Sequence, residues 1–255
     1  MSAESTDIIA GAPGPELVPE AAKAKAIPPW RRLFSSFCES KLAVVGLITL
    51  VAIILVALFA PWISPQDPFD LSQIDIMDSK MPPGSESYTG QVYWLGTDGQ
   101  GRDMLSGIFY GLRISLTVGI LSGFFALIIG TSLGLTAAYF GGKIETLIMR
   151  IVDLQLSFPA ILVALMLLAI LGRGVDKVIL ALIIVQWAYY ARTARSAALV
   201  ERRKEYIESA RSLALSTPRI IFRHLLPNCL PPVIVIGTVQ VANAIALEAT
   251  LSFLG

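Results

Sequence analysis

The chain has 255 residues, of which 55% are hydrophobic and only 15% charged, and its net charge is +1. Soluble domains carry about 25% charged residues, so this balance argues against an ordinary soluble enzyme. Two cysteines cannot build a disulfide scaffold, and Cys38 and Cys229 are read as inert thiols.

The first 28 residues are rich in Ala, Pro, Glu and Gly and are expected to be disordered. They belong to an N-terminal tail, 1–40, with a short amphipathic end. Leu42 to Ala60 then runs 19 positions without an ionisable residue, enough to cross about 30 Å of hydrocarbon as a helix. No small-residue cleavage site follows it, so the segment 41–63 reads as an uncleaved anchor. Proline in Ala60-Pro61-Trp62 is expected to stop this helix and leave Trp62 at the interface.

Residues 64–112 are polar and carry Pro65, Pro68, Pro82 and Pro83, predicting an extended loop with an interfacial helix at its end. Within it lies Leu95-Gly-Thr-Asp-Gly-Gln-Gly-Arg-Asp103, whose glycines predict a tight turn. Gly96, Asp98, Gly101, Arg102 and Asp103 are its candidate functional residues. A phosphate cradle would need two glycines five apart, then Lys and Ser or Thr. Here two acids stand where phosphate would sit, so no nucleotide site is expected.

Residues 113–255 form the core. Ser115 to Gly142, Leu154 to Gly172, Val178 to Ala191 with its flanks, and Pro231 to Leu247 are four further apolar blocks. Five spans are therefore visible. Gly119 and Gly123, and Gly130 and Gly134, recur four apart, the small-residue spacing that lets helices approach closely in lipid. Pro159 predicts a kink near one end of the third span. If the spans alternate from a cytoplasmic N-terminus, most of the 20 Lys and Arg fall inside, as the positive-inside rule requires. Trp30, Trp62 and Trp187 near segment ends agree with this.

In the last block Gln240, Asn243 and Glu248 share roughly 140° of a helix face. They read as a pathway-lining or subunit-facing stripe, since polar groups within a span face protein or water. The alternative is that Glu248 sits near the outer end and reaches water. Gln186 reads as an interhelix hydrogen bond.

Residues 201–228 form a basic hairpin between spans. Arg192 to Ala214 is predicted as one continuous helix, with a break at Ser216-Thr217-Pro218. Thr217 is the expected N-cap, and Pro218 opens a second helix, Arg219 to Leu226, ending at Pro227-Asn228. Ile207, Ala210 and Ala214 form a small apolar stripe suited to a partner's groove, or to lipid headgroups. Glu201, Glu205 and Glu208 among the cations argue against nucleic acid.

This hairpin resembles the coupling loop of ABC-importer membrane subunits. There Glu-Ala-Ala is followed after three residues by Gly, then after nine by an apolar residue, any residue and Leu-Pro. Glu208, Ser209 and Ala210 match the opening, Ala214 stands for Gly, His224 for the apolar residue, and Leu226-Pro227 for the close. Ser209, Ala214 and His224 depart from the pattern, and Ala continues a helix better than Gly by about 1 kcal/mol. The Gly96–Asp103 motif, Tyr110-Gly-Leu-Arg-Ile-Ser-Leu and Glu248-Ala-Thr-Leu-Ser-Phe-Leu-Gly255 are similar to the dipeptide, oligopeptide and nickel subfamily, more closely its C-type permease.

The resemblance implies an all-α polytopic bundle of the type I importer kind, in a bacterial inner membrane, with a sixth span expected beyond Gly255. It implies a B-type permease partner, two cytoplasmic ATPases that use ATP and Mg, and an extracytoplasmic solute-binding protein. This chain itself would bind no cofactor or metal and catalyse nothing. Glu205, Glu208, Ser209, Ala210, Ala214, His224 and Pro227 would couple it to the ATPases. Peptide is the expected solute, with nickel complexes, opines and sugars as alternatives. A passive channel and a membrane enzyme using Asp153, His224 and Glu248 are the rival readings.

Overall fold

The structure, a computed structural model, describes residues 37–88 and 90–254. The expected tail, apart from its last residues, and Trp30 therefore lie outside the described residues. The chain divides into two compact units, one ending at Val51 and one beginning at Ala52.

α1, Lys41–Ile63, is uniformly apolar. Pro61 lies inside it rather than ending it: the Ser64 amide still reaches the Ala60 carbonyl at 3.0 Å. Trp62 is exposed and packs on Phe59.

The stretch 64–103 is compact, not extended. A 3-10 turn, Ile76–Asp78, precedes an antiparallel pair, β1 Ser85–Glu86 and β2 Val92–Tyr93, with Ser85 opposite Tyr93. Asp78 is 1% exposed, and its Oδ2 accepts from Ser87 Oγ at 2.6 Å and from the Tyr93 hydroxyl at 2.9 Å. Burial first, then this carboxylate, pushes the Tyr93 pKa up. A buried carboxylate with two donors organises the loop where an apolar core is too small to do so.

α2, Met104–Phe140, starts directly from that loop, so among the described residues the expected interfacial helix is the first turns of α2 itself. At 37 residues it is about 55 Å long. Its glycines work as the spacing predicts, but on two partners. A Cβ on Gly130 would meet the Trp187 carbonyl at 2.2 Å, and one on Gly134 the Ala191 carbonyl at 2.3 Å. A Cβ on Gly119 or Gly123 would strike Ile245 or Val241. The same helix is thereby seated on α5, Val175–Glu201, and on α7, Thr217–Leu254.

Between them, the expected third span is broken. α3, Gly142–Ser157, and α4, Ala160–Leu171, meet at 92°. Phe158 precedes proline, which forces it into extended backbone (φ −96°, ψ 141°), and Pro159 then opens α4. Asp153 of α3 pairs with Arg192 of α5 at 2.6 Å, and Arg195 Nε donates to Glu145 at 2.7 Å. Among the described residues α1, α2 and α7 are each long and apolar enough to cross a membrane, and the bent α3–α4 pair has the length and composition of either a broken span or a re-entrant loop. α5 is long enough, but its uncharged run, Val178 to Ala191, covers only about 21 Å. Trp187 lies mid-helix against Tyr190 and Ala191 neighbours rather than at a segment end.

Candidate functional site

The hairpin differs from the expected one at three points. The first helix breaks at Arg202–Lys204, where Arg202 Nη1 donates to the Ala138 carbonyl at 2.7 Å. α6, Glu205–Ser212, then begins anew. Ser216, not Thr217, takes the cap position of α7, and Pro218 follows in its first turn. α7 does not end at Pro227-Asn228 but runs on to Leu254. Pro227 cannot donate to Arg223 and its ring would crowd that carbonyl. A wide π turn over Ile220–Leu225 makes the room, and Asn228 Nδ2 bonds the His224 carbonyl at 2.8 Å.

The apolar stripe of α6 faces inward. Ile207 and Ala210 are 1% and 4% exposed, packed with Leu135 and Ala138 of α2, Ala198 of α5 and Ile220, Ile221 and Leu225 of α7. It is therefore not open to a partner's groove or to lipid: the ends of α2 and α5 leave an apolar gap that it fills. Burying Ile207 contributes about 2 kcal/mol. Tyr206 donates to Glu201 at 2.7 Å, and burial followed by that carboxylate pushes its pKa up to about 12.

Ala214, the third member expected in the stripe, is exposed at φ 52°. The Leu215 amide reaches the Ala210 carbonyl at 3.2 Å, and the Ala214 amide the Arg211 carbonyl at 2.9 Å. Leu215 also packs on the cluster that holds Ala210. These are the bonds and contact of a Schellman turn, whose left-handed position normally takes Gly. The sharp bend is thus present although Ala stands there.

Exposure leaves Glu205, Glu208, Ser209, Ser212, Leu213 and Ala214 as the outer face. Leu213 is 73% exposed. Glu208 lines a 350 Å³ cleft with Leu199, Arg202 and Arg203. Arg211 stacks over Tyr139 at 5.1 Å, tying this face to the end of α2. His224 is half-buried and Pro227 exposed, both within α7.

Gln240, Asn243 and Glu248 do not form one stripe. Gln240 is buried; Asn243 Nδ2 donates to its Oε1 at 2.9 Å, and Gln186 Nε2 to its carbonyl at 3.1 Å, the interhelix bond expected of Gln186. These three line a 330 Å³ cavity. Glu248 lines another, of 720 Å³. It is 6% exposed and does not simply reach water: Ser115 Oγ and Ser252 Oγ each donate to it at 2.8 Å. Ser115 went unread in the sequence because its partner lies on another helix, whereas Ser252 stands one turn after Glu248 on α7 itself. Asp153, His224 and Glu248 share no hydrogen bond among the described residues, so they form no acid–base pair.

The loop motif is spent on structure. Gly96 (φ 78°) and Gly101 (φ 80°) lie so close to backbone that a Cβ would come within 2.4 Å of the Met81 carbonyl and 2.0 Å of the Asp75 carbonyl. Asp98 Oδ1 accepts from the amides of Gln100 and Arg102. Asp103 caps α2 by accepting from the Ser106 amide at 2.8 Å. The half-buried Arg102 and the exposed Arg113 flank this cap and the first turns of α2, not a separate interfacial helix.

Two family models match. Residues 126–255 fit the binding-protein-dependent transport system inner membrane component, and residues 28–83 the N-terminal transmembrane domain of oligopeptide transport permease C. The chain is 39% identical over 243 residues to the dipeptide transport system permease protein DppC of Alkalihalophilus pseudofirmus, covering 95% of this chain and 77% of that one. It is 34% identical to the oligopeptide transport system permease protein OppC of Bacillus subtilis, covering 91% and 73%. Its fold is similar to a chain of the inward-facing MetNI methionine ABC transporter, with a TM-score of 0.54 at 22% identity over 60% of this chain and 76% of that chain.

Proposed function

Because the chain belongs to the family of binding-protein-dependent transport system inner membrane components, we propose that it is the C-type permease that passes peptides through an ATP-driven importer. The hairpin 201–228 faces the cytoplasm, and α6 with its Schellman turn is the lever on which an ATPase acts. The observation that carries this reading is the two-sided character of α6. Ile207 and Ala210 lock it to the ends of α2 and α5, while Glu205, Glu208, Ser209 and Leu213 stay free for a partner. A push on the outer face is then transmitted as a rigid-body movement, because the inner face is close-packed. ATP and Mg belong to two partner ATPases, and a B-type permease completes the pathway. The N-terminus is cytoplasmic, and the compact loop 64–103 faces the solute-binding protein. Solute and nucleotide must each favour one of two access states for the cycle to run.

Reconstitution with the sister permease, both ATPases and the binding protein tests this. Dialanine accumulates in proteoliposomes only with ATP and binding protein present. Dialanine flux of equal rate without ATP contradicts it and favours a passive channel.

A further inference from the structure

The 720 Å³ cavity lies between α2, α4, α5 and α7, within the range of small-molecule sites. Its walls are largely apolar, contributed by Ile114, Val118, Leu168, Val178 and Leu251. Two charged groups line it. Glu248 is buried within a membrane helix, yet no ion pair reaches it among the described residues. Ser115 and Ser252 each give it one O–H, which orients both carboxylate oxygens without neutralising them and leaves each a further lone pair. An anion at such a place is costly when unpaired, so a cation that enters the cavity gains a contact there. Arg173 is the second group. It is exposed in the turn between α4 and α5, flanked by Gly172 (φ 86°) and Gly174 (φ 142°), and it too has no ion-pair partner among the described residues.

We propose that this cavity is a substrate site for the two ends of a short zwitterionic peptide, with Glu248 taking the α-ammonium and Arg173 the terminal carboxylate. The inference rests on the peptide reading above and deepens it. A carboxyl group inside, a guanidinium at the rim and apolar walls between them match a ligand with opposite charges on an uncharged body. A ligand of a single sign would gain one contact and face repulsion at the other. The apolar walls supply no hydrogen-bond code for side chains, so recognition by the ends alone tolerates varied residues between them.

Labelling of a cavity thiol tests this in nanodiscs holding the permease pair and ATPases without the binding protein, so that only membrane sites are read. Val178→Cys in a Cys38→Ser background supplies the thiol. Its maleimide labelling rate is followed with dialanine, N-acetyl-dialanine and dialanine amide. Dialanine protects, and each blocked peptide requires about tenfold more, since each loses one charge-assisted contact. Glu248→Gln removes dialanine's advantage over the acetylated form, Glu248→Asp retains it, and Arg173→Met removes its advantage over the amide. Equal protection by all three peptides, or none by dialanine, overturns the inference. Dialanine uptake by the complete system reads the peptide function separately, so the two can fail independently.

Discussion

The Leu215 amide donates to the Ala210 carbonyl at 3.2 Å across a turn whose left-handed position is Ala214. That bond turns the chain back from α6 into α7 and sets which face of α6 points outward. A left-handed conformation at a residue with a Cβ costs about 1 kcal/mol.

Replacing Ala214 with Gly removes this strain and raises stability by about 1 kcal/mol, read as a higher melting temperature in detergent. Ala214→Trp leaves insertion intact and abolishes uptake, because a bulky ring stands where the partner must seat. Normal ATP-driven uptake by that variant would remove the lever from the account.

Ile207→Ala opens a cavity under α6 and destabilises the protein by about 3 kcal/mol. Its sharper signature is uncoupling: ATP hydrolysis by the assembled transporter continues while uptake falls. Leu213→Ala, at an exposed position, leaves the melting temperature within a degree or two and isolates the contact with the partner.

Gly130→Val and Gly134→Val drive a side chain into the backbone of α5 and prevent stable folding, seen as loss of a monodisperse peak in detergent. Gly107→Ala is the control. A Cβ there meets nothing within 4 Å, so the change is neutral or stabilises by up to about 1 kcal/mol.

Asp103→Ala removes the cap of α2 and destabilises the loop by about 1–2 kcal/mol. Gly101→Ala forces the chain off the Asp75 carbonyl. Both variants speed proteolysis and hydrogen exchange within residues 64–103 while α5 and α6 keep their protection.

The spans α1 and α2 could be read from composition because nothing but length and absence of charge was needed. The paired glycines were equally legible, since close approach leaves only small residues tolerable. The break at Phe158-Pro159 was read as a kink because proline alone does not report bend size; the packing of α3 along α5 through Asp153 and Arg192 accompanies the 92° turn. The fold of α7 through Pro227 was hidden because it depends on a π turn that no local pattern announces. The inward face of α6 was missed for a related reason: a stripe of Ile207 and Ala210 says that something covers it, not whether the cover is a partner or the chain's own α2. Ala214 in a left-handed turn runs against its helix preference, and only the Gly of the related pattern at that place hinted at it. The compact loop 64–103 escaped because its organiser, Asp78, is a buried acid bound by residues nine and fifteen positions away.

The central claim is that the outer face of α6 meets a nucleotide hydrolase. Cysteines at Glu208 and Leu213, with Tyr88 and Trp94 in the loop as controls, are crosslinked in membranes holding the whole transporter. The account predicts products joining 208 and 213 to an ATPase subunit, with yields that change on adding ATP, and none from 88 or 94. Crosslinks to the ATPase from 88 or 94, or none from 208 and 213, would contradict it.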